Sequence, residues 1–225
     1  AGTNVNFKVI DFSEFTSRYR SEELIGWKFY FISQMYISSK ITSEFATWVD
    51  SKIQNIALKR KKCLILDLDN TLWGGVLGEE GINGIQIGGD YPGKAFLYFQ
   101  EALSALSKEG IILSVCSKNN EEDVFEAWEQ NPFMVLRKKD FVAIRINWND
   151  KASNIVELSK ELNIGLDSMV FIDDNPAERE LVKQTLPMVA VPDFPKQAYM
   201  LPQFFMQLVR DYFEVYEITG EDKII

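Results

Sequence analysis

An α/β fold, with a mainly parallel sheet between two layers of helices, is the fold class that the sequence predicts. From Lys61 onward, short apolar runs of strand length alternate with longer stretches of helical periodicity, which is typical of parallel strands joined by crossover helices. Four of the apolar runs end abruptly in polar side chains, as strands do where an open parallel sheet binds its ligands. The prediction is therefore a Rossmann-like three-layer α/β/α sandwich.

The predicted elements follow one another along this region. Strands are predicted at residues 63–68, 111–116, 141–146, 169–172 and 189–191. Helices are predicted at residues 93–108, 121–130, 151–162, 176–185 and 198–209. Residues 74–92 are rich in glycine and predict a loop or a small β-hairpin flap. Since one helix and one strand fill the rest of the interval between the first two strand ends, no large cap domain is expected.

Three parts are expected in the chain. Residues 1–60 scatter aromatic residues among polar ones, which predicts a helical segment or a linker from a preceding domain, with a helix capped by Ser43 inside it. Residues 61–195 form the predicted α/β core. Residues 196–225 are expected to form a C-terminal helix and a linker toward a further domain. The apolar stripe predicted to pack on the helix after Ser43 consists of Phe45, Trp48, Val49 and Ile53.

Composition excludes several classes of function. The balance of 24 basic and 33 acidic residues gives a formal charge of -9, which excludes a general nucleic-acid footprint. The absence of histidine removes the commonest general base and every Ser–His or Cys–His nucleophile pair. No apolar run is long enough to indicate a membrane span. Cys63 and Cys116 form no CxxC pair, so a reducing, cytoplasmic setting is expected.

Two carboxylates, Asp67 and Asp69, lie at the end of the first predicted strand. Placing them beside a hydrophobic core is costly unless a cation or strong hydrogen-bond donors meet them. Mg2+ would do so, because it prefers carboxylate, carbonyl and water oxygens. The structural alternative is that both side chains cap the following turn.

Polar residues of complementary chemistry follow the next two strands. Ser117 places a hydroxyl before a helix that Asn119 or Asn120 would cap, and a hydroxyl at a helix N-terminus is typical of a phosphate-sized anion site. Lys151 lies in the first turn of the next helix, where the helix dipole disfavours a positive charge. It therefore either neutralises a phosphoryl group or pairs with Asp150 at the surface.

Paired carboxylates return at the end of the fourth strand, at Asp173 and Asp174. The start signals of the next helix account for Asn175, Pro176 and Glu178 but leave the two aspartates unexplained. Two acidic strand ends, one hydroxyl and one lysine at the same edge of a sheet predict a metal-assisted phosphoryl-transfer site.

These strand ends resemble, in order, the four motifs of the haloacid-dehalogenase-like (HAD) superfamily. The matching positions are Asp67-x-Asp69-x-Thr71, Ser117, Lys151 and Asp173-Asp174. The resemblance implies that Asp67 is the nucleophile that accepts a phosphoryl group and that Asp69 is the general acid and base, with Ser117 and Lys151 as further catalytic residues. The residues implied to bind substrate are Thr71, Ser117, Lys118, Asn119 and Lys151. The residues implied to hold Mg2+ are Asp67, Asp69, Asp173 and Asp174.

Longer segments of the same strand ends resemble the FkbH-like subfamily. They are DLDNTLWGGV (67–76), CSKN (116–119), NWxDK (147–151) and FIDDNP (171–176). This resemblance implies that a phosphoglycerate-type substrate such as 1,3-bisphosphoglycerate is dephosphorylated and that its glyceryl unit is loaded as a thioester on an acyl carrier protein. It also implies an acetyltransferase-like domain after the core. A thioester route makes Cys116 a candidate acyl acceptor, with packing at the strand end as the alternative.

Two other functions are compatible with the same residues. One is a HAD phosphatase that acts on small molecules or phosphoproteins without acyl transfer. The other is a non-catalytic module that binds a metal or a partner. The presence of both Asp67 and Asp69 favours an enzyme, because a scaffold has no need of a nucleophile and a proton donor together.

Overall fold

The structure of the protein is a computed structural model that describes residues 10–56 and 61–213. The described chain falls into two compact units, one within residues 10–56 and the other formed by Lys61–Phe213. The linker predicted toward a further domain, over residues 214–225, lies outside the described residues. In the described part of the chain, no helix combines the length and the apolar character needed to cross a membrane.

The first unit is helical. Its helices are α1 (Ser13–Thr16), α2 (Ser21–Leu24), α3 (Trp27–Ser33) and α4 (Thr42–Ile56). Its core gathers Phe15, Ile41 and Trp48. The helix predicted to be capped by Ser43 is present but already includes that residue. Of the predicted stripe, Trp48 is buried whereas Ile53 is exposed, so the packed face is narrower than predicted.

The second unit is built from four strands and six helices. Its strands are β1 (Cys63–Leu66), β2 (Ile112–Ser117), β3 (Ala143–Ile146) and β4 (Met169–Ile172). Its helices are α5 (Leu77–Glu80), α6 (Gly93–Lys108), α7 (Glu121–Gln130), α8 (Lys151–Leu162), α9 (Pro176–Thr185) and α10 (Leu201–Leu208). Its short 3-10 and π turns are Lys138–Asp140, Leu166–Ser168, Ala198–Met200 and Val209–Phe213.

All four strands are parallel and lie in the order β3-β2-β1-β4. Because side chains alternate along a strand, the two faces of β1 pack on different helices. Leu64 and Leu66 lie in the core formed with α6, α7 and α10, whereas Cys63 and Ile65 lie in the core formed with α8 and α9. Helices thus cover both faces of the sheet, as parallel sheets require. The predicted three-layer α/β/α arrangement is confirmed.

One predicted strand does not form. Around residues 189–191 only Ala190 pairs with the sheet, in an isolated parallel bridge to Val170. Pro187 and Pro192 flank this segment, and a proline has no backbone N–H to donate to a neighbouring strand. The apolar run therefore touches the edge of the sheet without extending it.

The glycine-rich segment at residues 74–92 is a loop with a minimal β pairing. Gly74 and Gln86 exchange two backbone hydrogen bonds, of 3.0 and 2.8 Å. The single turn of α5 lies between them, so the predicted hairpin flap is reduced to one antiparallel pair. Leu77, Ile85 and Ile87 bury this loop against the core. Within Lys61–Phe213 no large cap domain follows β1, in agreement with the prediction.

Candidate active site

A cavity of about 350 Å³ lies at the carboxyl edge of the sheet and is lined by residues that follow each of the four strands. The sequence-predicted site residues in its wall are Asp67, Asp69, Ser117, Lys118, Lys151, Asp173 and Asp174. The other residues in its wall are Asn70, Val76, Asn175, Pro176 and Glu178. Thr71, Asn119 and Cys116 are not part of this wall. The sheet thus collects at one edge the residues that four separate strand ends contribute.

Lys151 joins two of the predicted aspartates. Its Nζ lies 2.8 Å from Oδ1 of Asp67 and 2.5 Å from Oδ2 of Asp173, and the side chain is almost fully buried. Burial alone would lower the pKa of Lys151, but the charges of the two aspartates and their hydrogen bonds outweigh it and raise that pKa above its ordinary value. Asp150 instead caps α8, because its Oδ1 accepts from the backbone N–H of Ser153 at 2.8 Å. The surface pairing of Lys151 with Asp150 is therefore not what the structure shows.

Three carboxylates converge next to Lys151. Asp67, Asp173 and Asp174 each place one oxygen within 4.8 Å of those of the others. Burial, with the charge of Asp67 as the next cause, raises the pKa of Asp173 to about 6, while Lys151 acts in the opposite direction. Burial and the charges of Asp67 and Asp173 raise the pKa of Asp174 to about 6. Oxygen donors crowded in this way suit a hard divalent cation, which would relieve their mutual repulsion.

Asp69 is held apart from this cluster by three donors. Its Oδ1 accepts from Nε1 of Trp73 at 2.9 Å and from the backbone N–H of Leu77 at 3.0 Å. Its Oδ2 accepts one hydrogen bond, from Nδ2 of Asn119, at 2.8 Å. Burial raises the pKa of Asp69, and these hydrogen bonds oppose the rise. Asn119, predicted to bind substrate, therefore contacts Asp69 in the structure.

Of the remaining predicted residues, Ser117 and Lys118 line the cavity, whereas Thr71 holds a neighbouring loop. Ser117 is buried in the wall of the cavity at the end of β2. Lys118 also lines the cavity, with its Nζ 2.5 Å from Oε1 of Glu178. Thr71 is fully buried, and its Oγ1 accepts from the backbone N–H of Asp174 at 3.2 Å. Thr71 thus ties the loop after β1 to the loop after β4.

The sequence profile of the NLI interacting factor-like phosphatases matches residues 62–199, which is more than half of the chain. The chain belongs to this family. The NLI interacting factor-like phosphatase domain is a HAD domain, so the superfamily predicted from the strand ends is confirmed. No curated protein matches the chain significantly.

Two solved structures are similar to this chain. The N-terminal part of the protein BF1531 from Bacteroides fragilis, which contains a phosphatase domain complexed with Mg, is 39% identical with a TM-score of 0.81. The alignment covers 92% of this chain and 55% of that chain, so this chain spans about half the length of its relative. The HAD domain of the effector protein Lem4 from Legionella pneumophila has a similar fold, with a TM-score of 0.50 and 16% identity over 69% of this chain and 97% of that chain.

Three side chains that support this HAD phosphatase site are not predicted from the sequence. Trp73 holds Asp69, and the signal available for it is its place in the segment 67–76. Glu178 is explained by the sequence only as a helix-start residue, yet it pairs with a lysine of the cavity wall. Arg179 donates through Nη1 to the carbonyl oxygens of Asp173 and Asp174, both at 2.8 Å. The sequence near Arg179 contains no pattern that predicts this role, because both acceptors are backbone oxygens of the loop that precedes α9.

Cys116 lies in the core of this HAD domain and not in its cavity. Its side chain is fully buried among the residues between the sheet and α8, with Sγ 3.8 Å from the carbonyl oxygen of Lys151. Burial raises the pKa of the Cys116 thiol to about 12, although the charge of Lys151 opposes this. A neutral, enclosed thiol is a poor nucleophile, so the geometry favours packing over the predicted role as acyl acceptor.

Proposed function

We propose that this domain is a Mg2+-dependent phosphatase that forms a phosphorylated aspartate at Asp67. The observation that carries the proposal is the ammonium group of Lys151, which forms ion pairs with both Asp67 and Asp173. These three residues and Ser117 line the same cavity. Buried ion pairs contribute little to stability compared with apolar packing, so their presence in a cavity at the ligand-binding edge of the sheet favours a chemical role.

The acidic cluster supports the choice of cofactor. Asp67, Asp173 and Asp174 offer carboxylate oxygens within reach of one ion, and these residues would hold Mg2+. The related phosphatase domain from Bacteroides fragilis is complexed with Mg. When bound, the ion would supply a positive charge that stabilises the phosphoryl oxygens during transfer.

The first half of the reaction needs a nucleophile and a proton donor. An oxygen of the Asp67 carboxylate attacks phosphorus, the bond from phosphorus to the leaving-group oxygen breaks, and Asp69 donates its proton to that oxygen. The raised pKa of Asp69 suits the donor role. Oδ2 of Asp69 accepts only one hydrogen bond within the described residues, from Asn119, so it is the oxygen that can carry this proton. Lys151 and Ser117 would bind the phosphoryl oxygens.

The second half of the reaction returns the enzyme to its starting state. Asp69, now a carboxylate, takes a proton from water, and the resulting hydroxide attacks phosphorus. The bond between phosphorus and Asp67 breaks, and inorganic phosphate leaves. Trp73 and the backbone of Leu77 hold the other oxygen of Asp69 in both halves, which keeps its position fixed.

The proposal is tested by the substitution Asp67→Asn. We expect it to lower Mg2+-dependent phosphate release from acetyl phosphate by about a thousandfold or more, because the amide is not a nucleophile. Asp90→Asn is the matched control, since Asp90 is exposed and lies outside the cavity. Undiminished turnover by Asp67→Asn would contradict the mechanism. No Mg2+-dependent hydrolysis by the unaltered protein across a panel of phosphate esters would favour a non-catalytic metal- or partner-binding module.

We further propose a phosphoglycerate-type substrate and an acyl carrier protein as acceptor. The supports are the four segments that resemble the FkbH-like subfamily and the absence of a large cap over the site within Lys61–Phe213, which leaves room for a protein partner. From 1,3-bisphosphoglycerate, Asp67 would take the ester phosphoryl group. The carrier thiol would attack the acyl carbon, the bond from carbon to the acyl-phosphate oxygen would break, and phosphate would leave.

Mass spectrometry of the carrier tests this finer proposal. The cognate carrier protein, incubated with the enzyme, Mg2+ and 1,3-bisphosphoglycerate, should gain the mass of one glyceryl unit. Release of phosphate without a gain of mass on the carrier would indicate instead a HAD phosphatase without acyl transfer. The two cysteines of the chain are free thiols, in keeping with a cytoplasmic setting for this chemistry.

A further inference from the structure

A second cavity adjoins the candidate active site. It has a volume of about 590 Å³ and shares Asn70, Asp174 and Pro176 with the first cavity, so the two cavities are neighbours. All of its lining residues belong to Lys61–Phe213. Its size lies in the range of cavities that bind small molecules. The phosphatase mechanism proposed above assigns no role to the residues that line only the second cavity.

The walls of the second cavity combine apolar surface with cations. Phe96, Phe194 and Leu201 are buried and supply the apolar part. Arg179 and Lys196 supply two positive charges. A chain with a formal charge of -9 has many acidic groups available, yet neither of these two cations forms an ion pair with a described residue. The lining also includes one carboxylate, that of Asp174, which forms an ion pair with neither cation, so two positive charges stand against one negative charge. This excess of positive charge favours an external anion.

The guanidinium of Arg179 is fixed in position but only partly used. Nη1 donates to the carbonyl oxygens of Asp173 and Asp174, which anchors the group beside the active site. Nε is buried and has no hydrogen-bond partner among the described residues, and Nη2 makes no hydrogen bond there either. Because Nε is buried and Nη1 is already used, Nη2 is the nitrogen that remains for a carboxylate or a phosphate. Lys196 is exposed, lies in the segment before α10 and also lines this cavity.

We propose that the second cavity is the leaving-group subsite of the phosphatase. It would take a phosphate monoester or acyl phosphate whose leaving group has a short apolar segment that ends in a second anionic group. The phosphoryl group occupies the first cavity, the apolar segment lies against Phe96, Phe194 and Leu201, and the second anion meets Arg179 and Lys196. This assignment rests on the proposed function, because a leaving group exists only if a phosphoryl group is transferred to Asp67.

A matched pair of substrates tests the proposal. Butyl phosphate and 4-(phosphonooxy)butanoate have the same carbon chain length and differ in the terminal carboxylate. We expect the protein with Mg2+ to hydrolyse the carboxylate-bearing ester with the higher kcat/KM. The ratio of the two kcat/KM values should fall by about tenfold in Lys196→Glu, because one attraction is replaced by a repulsion. Lys108→Glu, an exposed lysine at the end of α6 and outside both cavities, makes the same change of net charge and should keep the ratio.

A binding measurement separates the subsite from the chemistry. Both esters are titrated calorimetrically into the Asp67→Asn variant with and without Lys196→Glu, so the result does not depend on turnover. A preference for the carboxylate-bearing ester that Lys196→Glu removes supports the subsite, even where neither ester is hydrolysed and the proposed function fails. Equal affinities for the two esters, or a preference that Lys196→Glu leaves intact, would overturn the subsite while turnover at Asp67 still stands.

Discussion

Replacing Lys151 with methionine removes the cation that separates two buried carboxylates. The side chain is 4% exposed, and its ammonium group lies 2.8 Å from Asp67 and 2.5 Å from Asp173. Methionine has a similar length and an apolar side chain, so it fills the space but leaves both carboxylates without their counter-ion. Breaking a buried ion pair by removing one partner costs about 3–5 kcal/mol. We therefore expect the free energy of unfolding to fall by about this amount at neutral pH when EDTA is present.

Urea unfolding, followed by circular dichroism, measures this loss. Lys160→Met is the matched control, because Lys160 is an exposed residue of the same helix, α8, and should lose at most about 0.5 kcal/mol. Mg2+ should stabilise the Lys151→Met variant more than the unaltered protein, because the ion would replace part of the missing charge. A loss below about 1 kcal/mol in EDTA, or one equal to that of the control, would refute the argument that Lys151 balances the two aspartates.

Three further substitutions or treatments probe the surroundings of the site. Asn119→Ala takes a donor from Oδ2 of Asp69 and should lower kcat for phosphate release about tenfold in a steady-state assay; an unchanged kcat would show that Asp69 needs no such support. Thr71→Val removes the acceptor for the backbone N–H of Asp174 and should lower the free energy of unfolding by about 1–2 kcal/mol in urea, and no loss would contradict this contact. Burial raises the pKa values of the two cysteine thiols to about 11 and about 12. Mass spectrometry should therefore find iodoacetamide adducts at mildly alkaline pH only after unfolding, and rapid labelling of folded Cys116 would show it to be accessible.

Local sequence signals predict the scaffold of the site well. The predicted bounds agree with the structure for α6, α7, α8 and α9. Helix ends are predictable because capping residues and apolar periodicity depend only on residues a few positions apart in the sequence. The ends of β1, β2 and β4 differ from the prediction by two residues or fewer. Since parallel strands share one carboxyl edge, the sequence positions of Asp67, Ser117, Lys151 and Asp173 are sufficient to predict that they meet.

Contacts between loops are not predicted, because they depend on which segments meet in space. Asn119 follows β2 as a residue expected to bind substrate, yet the fold brings its amide to Asp69. Arg179 has the pattern of an ordinary helix residue, and only the return of α9 over the preceding loop gives it two carbonyl acceptors. Cys116 shows the same limit, because a strand residue next to Ser117 can face either side of the sheet until the register is known.

The central claim is that Asp67 carries the phosphoryl group during turnover, and peptide mass spectrometry tests it most directly. The protein is mixed with Mg2+ and acetyl phosphate, quenched in acid, digested and compared with the Asp67→Asn variant. We expect the peptide that contains Asp67 to gain the mass of one phosphoryl group, to lose it on treatment with hydroxylamine, and to remain unmodified in the variant. A phosphoryl group on a different residue, or phosphate release at full rate by Asp67→Asn, would contradict the account.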